Sequence, residues 1–456
     1  MSIRKRREVR DMRFFTKCLS MVVAGMLSLA MGTAQGETLQ EAVKQMLETH
    51  PELKAMSYNR LAREKEIEQA KSGYYPTLDA SGTLGRAWRR TEYEKDWTRT
   101  DPKQATVSIR QNVYQFGMTQ SEVERQKARD RSQAYLIQGT SENLALQSTR
   151  VYLNVLKNAE LSELAKENLV NHERIRDQVK LRSRSGVDPG ADLDQVMGRL
   201  ALAQSNLTVA KANLADAKTD YLALIGRQPG ELAVPEPTKE PLPGTMDEAE
   251  KLAVQNHPTL KSAKADLEAR EKQHETAKGA MYPKLDLAAD YIWSKDVYPY
   301  PYRVEDIQIA AIVRFNLFSG MKDKYRKDET LLLISEAKEI MNNTERQTVQ
   351  SIRLSWEAYK TALERVDYLT EYARAAGVTS EAFTKQWNIG RRTMFDVLDV
   401  QAESINARSD LVKAKYEKLY TEYRVLSGMG RLVRSLGLQW PPESRVENSR
   451  EDASPN

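Results

Sequence analysis

From Phe395 onward, apolar or small residues fall at Phe395, Leu398, Ala402, Ile405, Ser409, Val412, Tyr416, Leu419, Tyr423 and Leu426, alternately three and four residues apart. That spacing is the seam of a coiled coil. It recurs at Val196, Leu200, Ala203, Leu207, Ala210, Leu214, Ala217, Tyr221 and Leu224, and again at Val349, Ile352, Trp356, Tyr359, Leu363 and Val366. Each of the first two seams begins at a turn. Gly390 reads as the stop of one helix, and Thr393 followed by Asp396 reads as the capping-box start of the next. Gly186 to Asp192 is the matching turn earlier in the chain. The pattern predicts long helices over about 118–185, 191–226, 321–389 and 393–430. The first would be about 100 Å long at 1.5 Å per residue.

A period of two replaces this spacing in four places. Ile307, Ile309, Ala311, Val313, Phe315 and Leu317 alternate with more polar neighbours, as do Leu285, Leu287, Ala289, Tyr291 and Trp293. Strands are predicted over about 284–295 and 305–318, with weaker counterparts over 77–88 and 104–116. Roughly ten residues is the length a tilted strand needs to cross a bilayer. The connecting loops carry Trp88, Tyr93 and Trp97 in one case and Trp293, Tyr298, Tyr300 and Tyr302 in the other, as a ring belt at a membrane interface would. Alternation alone equally allows two amphipathic hairpins lying on a soluble helical body.

The chain repeats itself. Thr38-Leu39-Gln40-Glu41-Ala42 matches Thr245-Met246-Asp247-Glu248-Ala249, Thr49-His50-Pro51 matches Asn256-His257-Pro258, and Tyr75-Pro76 matches Tyr282-Pro283, all at one constant offset. The organisation that follows is a first repeat over 37–228, a Pro-rich linker over 229–244, a second repeat over 245–430 and a disordered polar tail over 431–456.

Composition narrows the class. Apolar residues are 40% and charged residues 29%, too lean for thick globular cores but suited to helices that bury one stripe each. Residues 1–36 read as a secretion signal, basic to Lys17 and apolar from Cys18 to Met31, with Met12 opening a leader of more usual length. That segment holds seven Lys/Arg and two Asp/Glu, so the formal charge of +5 belongs to it and the mature chain is neutral. Basicity therefore gives no argument for nucleic acid. Cys18, the one cysteine, stands at the start of the apolar stretch, where a lipoprotein cysteine would follow it. A mature chain without thiols suits an oxidising compartment and excludes cysteine chemistry.

Four strands cannot close a spanning barrel, because an open edge in lipid leaves backbone groups unsatisfied at several kcal/mol each. If the strands span, the chain is an oligomer: two copies make eight strands and three make twelve. No phosphate loop, nucleophile elbow or metal-spaced histidine cluster is present, so an enzyme is not expected and no cofactor is implied. His50 and His257 precede prolines that suit a first helical turn, which makes them structural.

The paired halves, the His-Pro starts, Asn316-Leu317-Phe318 before a glycine and above all Gly390-Arg391-Arg392-Thr393-Met394-Phe395-Asp396-Val397-Leu398-Asp399 resemble the TolC family of outer-membrane channel-tunnels. The resemblance covers essentially the whole mature chain. It implies a mostly α homotrimer with transmembrane β: a twelve-stranded outer-membrane β-barrel, four strands per chain, continued by an α-helical coiled-coil tunnel in the periplasm. It also implies a periplasmic adaptor and an inner-membrane ABC transporter or proton-driven pump as partners. The Gly-Arg-Arg-Thr form and the absence of a lipoprotein cysteine are more similar to the type I protein-secretion branch. A drug-efflux duct is the alternative, and a soluble coiled-coil adaptor a third class. Carried over residue by residue, the resemblance places Asp396 and Asp399 at the ring around the tunnel's periplasmic aperture. It makes Arg392 and Asp192 partners in a closing latch, with Trp387 where the family often has a tyrosine in that latch. An indole only donates, and Pro189-Gly190 is a further departure in the first-half turn.

Overall fold

The computed structural model describes residues 36–93, 96–184, 190–235 and 241–446. The expected leader up to residue 35, the turn from Gly186 to Pro189, residues 236–240 of the linker and the tail from 447 lie outside the described residues. In chain order the elements are α1 (Leu39–Thr49), α2 (Pro51–Lys71), β1 (Thr77–Leu84), β2 (Ala87–Arg89), β3 (Thr98–Thr100), β4 (Lys103–Tyr114), α3 (Met118–Arg184) and α4 (Gly190–Ile225). The second half repeats them as α5 (Met246–Asn256), α6 (Pro258–Gly279), β5 (Lys284–Lys295), β6 (Val304–Arg314), α7 (Lys322–Asn388) and α8 (Met394–Gly428), followed by the short α9 (Leu432–Ser435).

The two longest helices, α3 and α7, have 67 residues each and so run about 100 Å. Each folds back on a partner, α3 on α4 and α7 on α8, and the two hairpins meet along α3 and α8. The main apolar core lies where α1, α5 and the C-terminal segment pack across these helices, around Met46, Leu53, Tyr152, Tyr221, Ile352 and Leu426. A second, smaller core sits at the hairpin ends: Ile175 and Val179 of α3, Val196 of α4, Trp387 of α7 and Met394, Val397 and Leu398 of α8.

The caps follow from local chemistry. Thr38 and Glu41 form a complete capping box on α1, and His50 caps α2 through Nδ1, which accepts from the Glu52 amide at 3.3 Å with Pro51 at the first helical position. His257 occupies the equivalent place before α6 without a side-chain cap bond. Its imidazole is desolvated, which holds its pKa below the usual value.

All four main strands lie in one antiparallel sheet of order β1-β4-β5-β6. The first hairpin departs from the expected single strand over 77–88. It is β1 plus β2, paired in the same register with β4 and β3. The break falls at Pro102, which has no amide to give the ladder, although its carbonyl still accepts from Gly85 N at 2.9 Å. In the second hairpin β6 stops at Arg314, short of the predicted 318, so Phe315 to Phe318 belong to the connection into α7.

The expectation of a disordered tail from 431 is corrected by the structure for 431–446. Gly430, at φ 69°, ends α8 in a left-handed turn, and a Cβ there would stand 2.7 Å from Pro258 Cδ. Beyond it Leu432 and Val433 are buried. The carboxylate of Glu142, itself buried in α3, accepts from Leu432 N at 2.8 Å, Val433 N at 3.2 Å and Trp440 Nε1 at 2.9 Å. Arg60, ion-paired with Asp130 at 3.1 Å, also donates to the Glu443 carbonyl, and Gln138 Nε2 donates to Ser444 O at 2.8 Å. Polar composition hid this segment, because its few apolar side chains are matched by acceptors and donors from α2 and α3.

Glu142→Ala is expected to cost about 3 kcal/mol, since it leaves two amides and an indole N–H without that acceptor. A lower denaturant midpoint and faster proteolysis within 431–446 would be measured, with Glu142→Gln intermediate because one oxygen acceptor remains.

Candidate functional site

Strand register sorts the sheet's side chains into two faces. On one face lie Leu78, Ala80 and Leu84 of β1, Ala105, Val107 and Ile109 of β4, Leu285, Leu287, Ala289, Tyr291 and Trp293 of β5, and Ile307, Ile309, Ala311 and Val313 of β6. Ile309 is 80% exposed and Leu84 82% exposed, so nothing among the described residues covers this face. On the other face lie Thr77, Asp79, Ser81, Gln104, Thr106, Ser108, Arg110, Asn112, Asp286, Asp290 and Gln308, interspersed on β5 and β6 with Ala288, Ile292, Ala310 and Ile312. Polar side chains bridge strands there: Ser108 Oγ donates to Asp290 Oδ1 at 2.5 Å, and Asn112 Nδ2 to Asp286 Oδ1 at 2.6 Å. A sheet with an apolar face in lipid and a hydrogen-bonded polar face toward water is the wall of a membrane barrel.

Aromatic rings mark both ends of the apolar band. Trp88, Tyr93, Trp97, Trp293 and Tyr298, expected as a belt, all fall at the end away from the long helices. The Arg89 guanidinium lies 3.4 Å over the Tyr298 ring and ties the two loops together. A second set stands at the helix end, where Phe116 stacks on Tyr282 at 4.7 Å and touches Tyr114 at 4.8 Å. Sequence reasoning did not single out this second set. Its signal was the aromatic flanking of each strand's helix-proximal end.

At the far end of the hairpins, the α7–α8 turn is built from two local motifs. Arg391 N donates to Gln386 O and Gly390 N to Trp387 O, both at 2.9 Å, with Gly390 at φ 72°. This closes α7 as a Schellman motif. Thr393 then caps α8 and Asp396 returns the bond, its carboxylate accepting from Thr393 N at 3.2 Å and Thr393 Oγ1 at 2.9 Å. The Thr393 hydroxyl and amide hold the Asp396 carboxyl below the usual carboxylate range.

Arg392 is held within its own turn, by Gln386 Oε1 at 3.1 Å, by the Phe383 ring at 4.1 Å from its guanidinium carbon and by Asp396 at 4.0 Å. Among the described residues no ion pair joins it to Asp192 in the same chain, although Asp192 stands in the first turn of α4. Asp399 accepts from Arg199 Nη2 at 3.0 Å, so one carboxylate expected at the aperture links α8 to α4. Trp387 is buried in the small core with the Arg182 guanidinium 5.0 Å over its ring. Further up, Arg408 of α8 grips Glu167 of α3 with both terminal nitrogens at 2.8 Å and holds that carboxyl below its usual pKa. Sequence reasoning missed Arg199, Arg408 and Glu167, because charges flanking a coiled-coil seam do not reveal which helix they face.

The family model described as outer membrane efflux protein matches residues 42–227 and 250–431, leaving out the linker between the repeats. The chain belongs to the outer membrane efflux protein family. It is 22% identical over 442 residues to outer membrane efflux protein BepC of Brucella suis, covering 93% of each. To outer membrane protein TolC of Escherichia coli it is 22% identical over 433 residues, 91% of this chain and 87% of the other. To proteases secretion protein PrtF of Dickeya chrysanthemi it is 23% identical over 419 residues, 86% of this chain and 88% of the other. Its fold is that of the Campylobacter jejuni CmeC outer membrane channel, with a TM-score of 0.77 at 16% identity over 86% of both chains. The CusC structure, which covers 90% of this chain and 96% of its own, gives 0.76 at 13% identity. This member of the outer membrane efflux protein family is a TolC-type outer-membrane channel, its sheet in the outer membrane and its helices forming periplasmic tunnel wall.

The Thr393–Asp396 box generates a prediction with a definite sign. A carboxyl whose folded pKa is depressed stabilises above its unfolded value, here near 3.8, and the contribution is lost as pH falls through the lowered folded value. Amide exchange at 394–398, corrected for intrinsic rates, should stay flat from neutral pH to about 5 and accelerate only below the ordinary carboxylate range. Thr393→Ala should raise it roughly fivefold at neutral pH.

Proposed function

We propose that three copies of this chain form one passive export duct of a type I protein-secretion system, joined through a periplasmic adaptor to an inner-membrane ABC transporter. The observation that carries the trimer is the open sheet: among the described residues β1 and β6 each have one unpaired edge, on a sheet whose apolar face is bare. Joining β6 of one copy to β1 of the next satisfies both edges, and closure removes every edge from lipid. Two copies would close eight strands, whose interior side chains fill. Twelve strands from three copies leave a lumen, walled here by the polar face.

Protein cargo is supported by the likeness to the protease-secretion relative of Dickeya chrysanthemi and by the Gly390-Arg391-Arg392-Thr393 turn. The similar identity to the efflux relative of Brucella suis makes small-molecule export the second reading. Deleting the gene separates them. Loss of a protein from the culture medium, reproduced by deleting the partner ABC transporter, is the expected result. Normal secretion with increased sensitivity to dyes and detergents would assign the duct to drug efflux.

For the tunnel end we propose that Asp396 and Asp399 of three copies ring the aperture, and that Arg392 of one copy reaches Asp192 of the next to hold it shut. Trp387 packs beneath that contact and keeps the two hairpin ends in step. An exposed pair is worth about 0.2–1 kcal/mol. Opening the end breaks three together, about 3 kcal/mol at most and roughly a hundredfold in open population. Arg392→Ser and Asp192→Ala should each raise single-channel conductance, with the double change adding little. The swap Arg392→Asp with Asp192→Arg should restore part of the closure, whereas full additivity of the single changes would show that the two are not partners.

A further inference from the structure

The outward face of the sheet ends, on the side away from the helices, in an arrangement that the channel function does not use. Register places Lys103 of β4 directly opposite Lys295 of β5. Continuing the β5–β6 register one step past Ser294 and Val304 sets Arg303 beside Lys295. Lys103 and Lys295 therefore stand side by side on two strands, with Arg303 one residue before β6 beside them, at the end of the face that carries the apolar band. One step toward the membrane centre lie Ala105, Trp293 and Glu305, and next come Val107, Tyr291 and Ile307.

Like charges directly opposite on neighbouring strands destabilise a sheet. Arg303 is relieved by an ion pair with Glu305. Among the described residues neither Lys103 nor Lys295 has an ion-pair partner, and both are exposed. One strand pair away the same face shows a relieved version: Asp101 accepts from Arg86 Nε and Arg99 Nη2, both at 3.2 Å. The lysine pair thus lacks the shared anion that the neighbouring pair of arginines has.

We propose that Lys103 and Lys295 bind a phosphate of the phosphorylated glycolipid in the outer leaflet of the outer membrane, with Arg303 beside it and Trp293 against the first acyl carbons. The proposal rests on the barrel reading, which puts this end of the sheet at the extracellular side. Opposed side chains on adjacent strands have Cβ atoms about 5 Å apart, so two ammonium groups can close on one phosphate. The pair sits where the wall changes from apolar to charged, the depth at which a lipid carries its anionic group. Basic residues at a membrane surface each contribute about fivefold to binding of anionic lipid.

The test uses the full-length trimer purified in a neutral detergent, with light scattering first confirming three copies. A monomer at that stage would overturn the barrel, and this site with it. Tryptophan fluorescence and thermal unfolding are then followed against bisphosphorylated lipid A, its enzymatically dephosphorylated form and phosphatidylglycerol. Tight binding of lipid A alone is expected, weakened roughly 30-fold in Lys103→Gln/Lys295→Gln and retained in Lys103→Arg/Lys295→Arg. Equal binding of the dephosphorylated form or of phosphatidylglycerol would overturn the proposal with the wild-type protein alone. So would an unchanged affinity in the glutamine variant.

Discussion

Backbone hydrogen bonding in lipid is the constraint from which this architecture follows. A four-stranded sheet with one face of exposed Leu, Ile, Val and aromatic side chains cannot sit in water alone, and its edges at β1 and β6 cannot sit in hydrocarbon alone. Both difficulties have one solution, closure with further copies of the same sheet. The helices inherit that symmetry, since every strand of the main sheet is joined to a helix at the same end. A β-barrel of small height can therefore organise helices about 100 Å long.

The helical part is held differently. Its seams bury narrow stripes, and among the described residues the contacts between hairpins include Arg408 with Glu167, Arg199 with Asp399, Arg150 over the Tyr420 ring and the small core around Trp387. Exposed ion pairs of this kind add little stability each. They define register between helices that could otherwise slide by a turn. The capped α7–α8 turn adds rigidity at the end, because both its stop at Gly390 and its start at Thr393 are fixed by hydrogen bonds within the turn itself.

Much of this was legible in the amino-acid sequence, for physical reasons that differ by element. The seams from Val196 and Phe395 declare themselves because a coiled coil needs an uninterrupted three-four spacing, and β5 and β6 because one face meets lipid. The first hairpin was weaker: its apolar face includes Ala80, Gly82 and Ala105, which contribute little hydrophobic contrast, and Pro102 interrupts its ladder. The segment 431–446 was illegible for another reason. It is ordered by distant acceptors such as Glu142, and no local periodicity announces a partner about 290 residues away. The same holds for the site: Asp396 shows itself through its box with Thr393, whereas the bond between Asp399 and Arg199 depends on how two hairpins meet.

At the start of the first repeat, Glu37 lies in a short parallel bridge with Leu232. Its carboxylate accepts from the Tyr221 hydroxyl and from Arg227, which is 190 positions away, while the Tyr152 hydroxyl lies 2.6 Å from the carbonyls of both Glu37 and Ala233, which share its one proton. Gly36 passes so close that a Cβ would stand 2.7 Å from Glu231 O. The first residues of the first repeat are thus locked by the last. This half cannot complete its packing until the linker at Glu231 to Ala233 is in place. Non-local closure of that kind is slow relative to helix formation. The long helices would then stand partly formed and unlocked, with the rings of Tyr152 and Tyr221 uncovered until the linker docks.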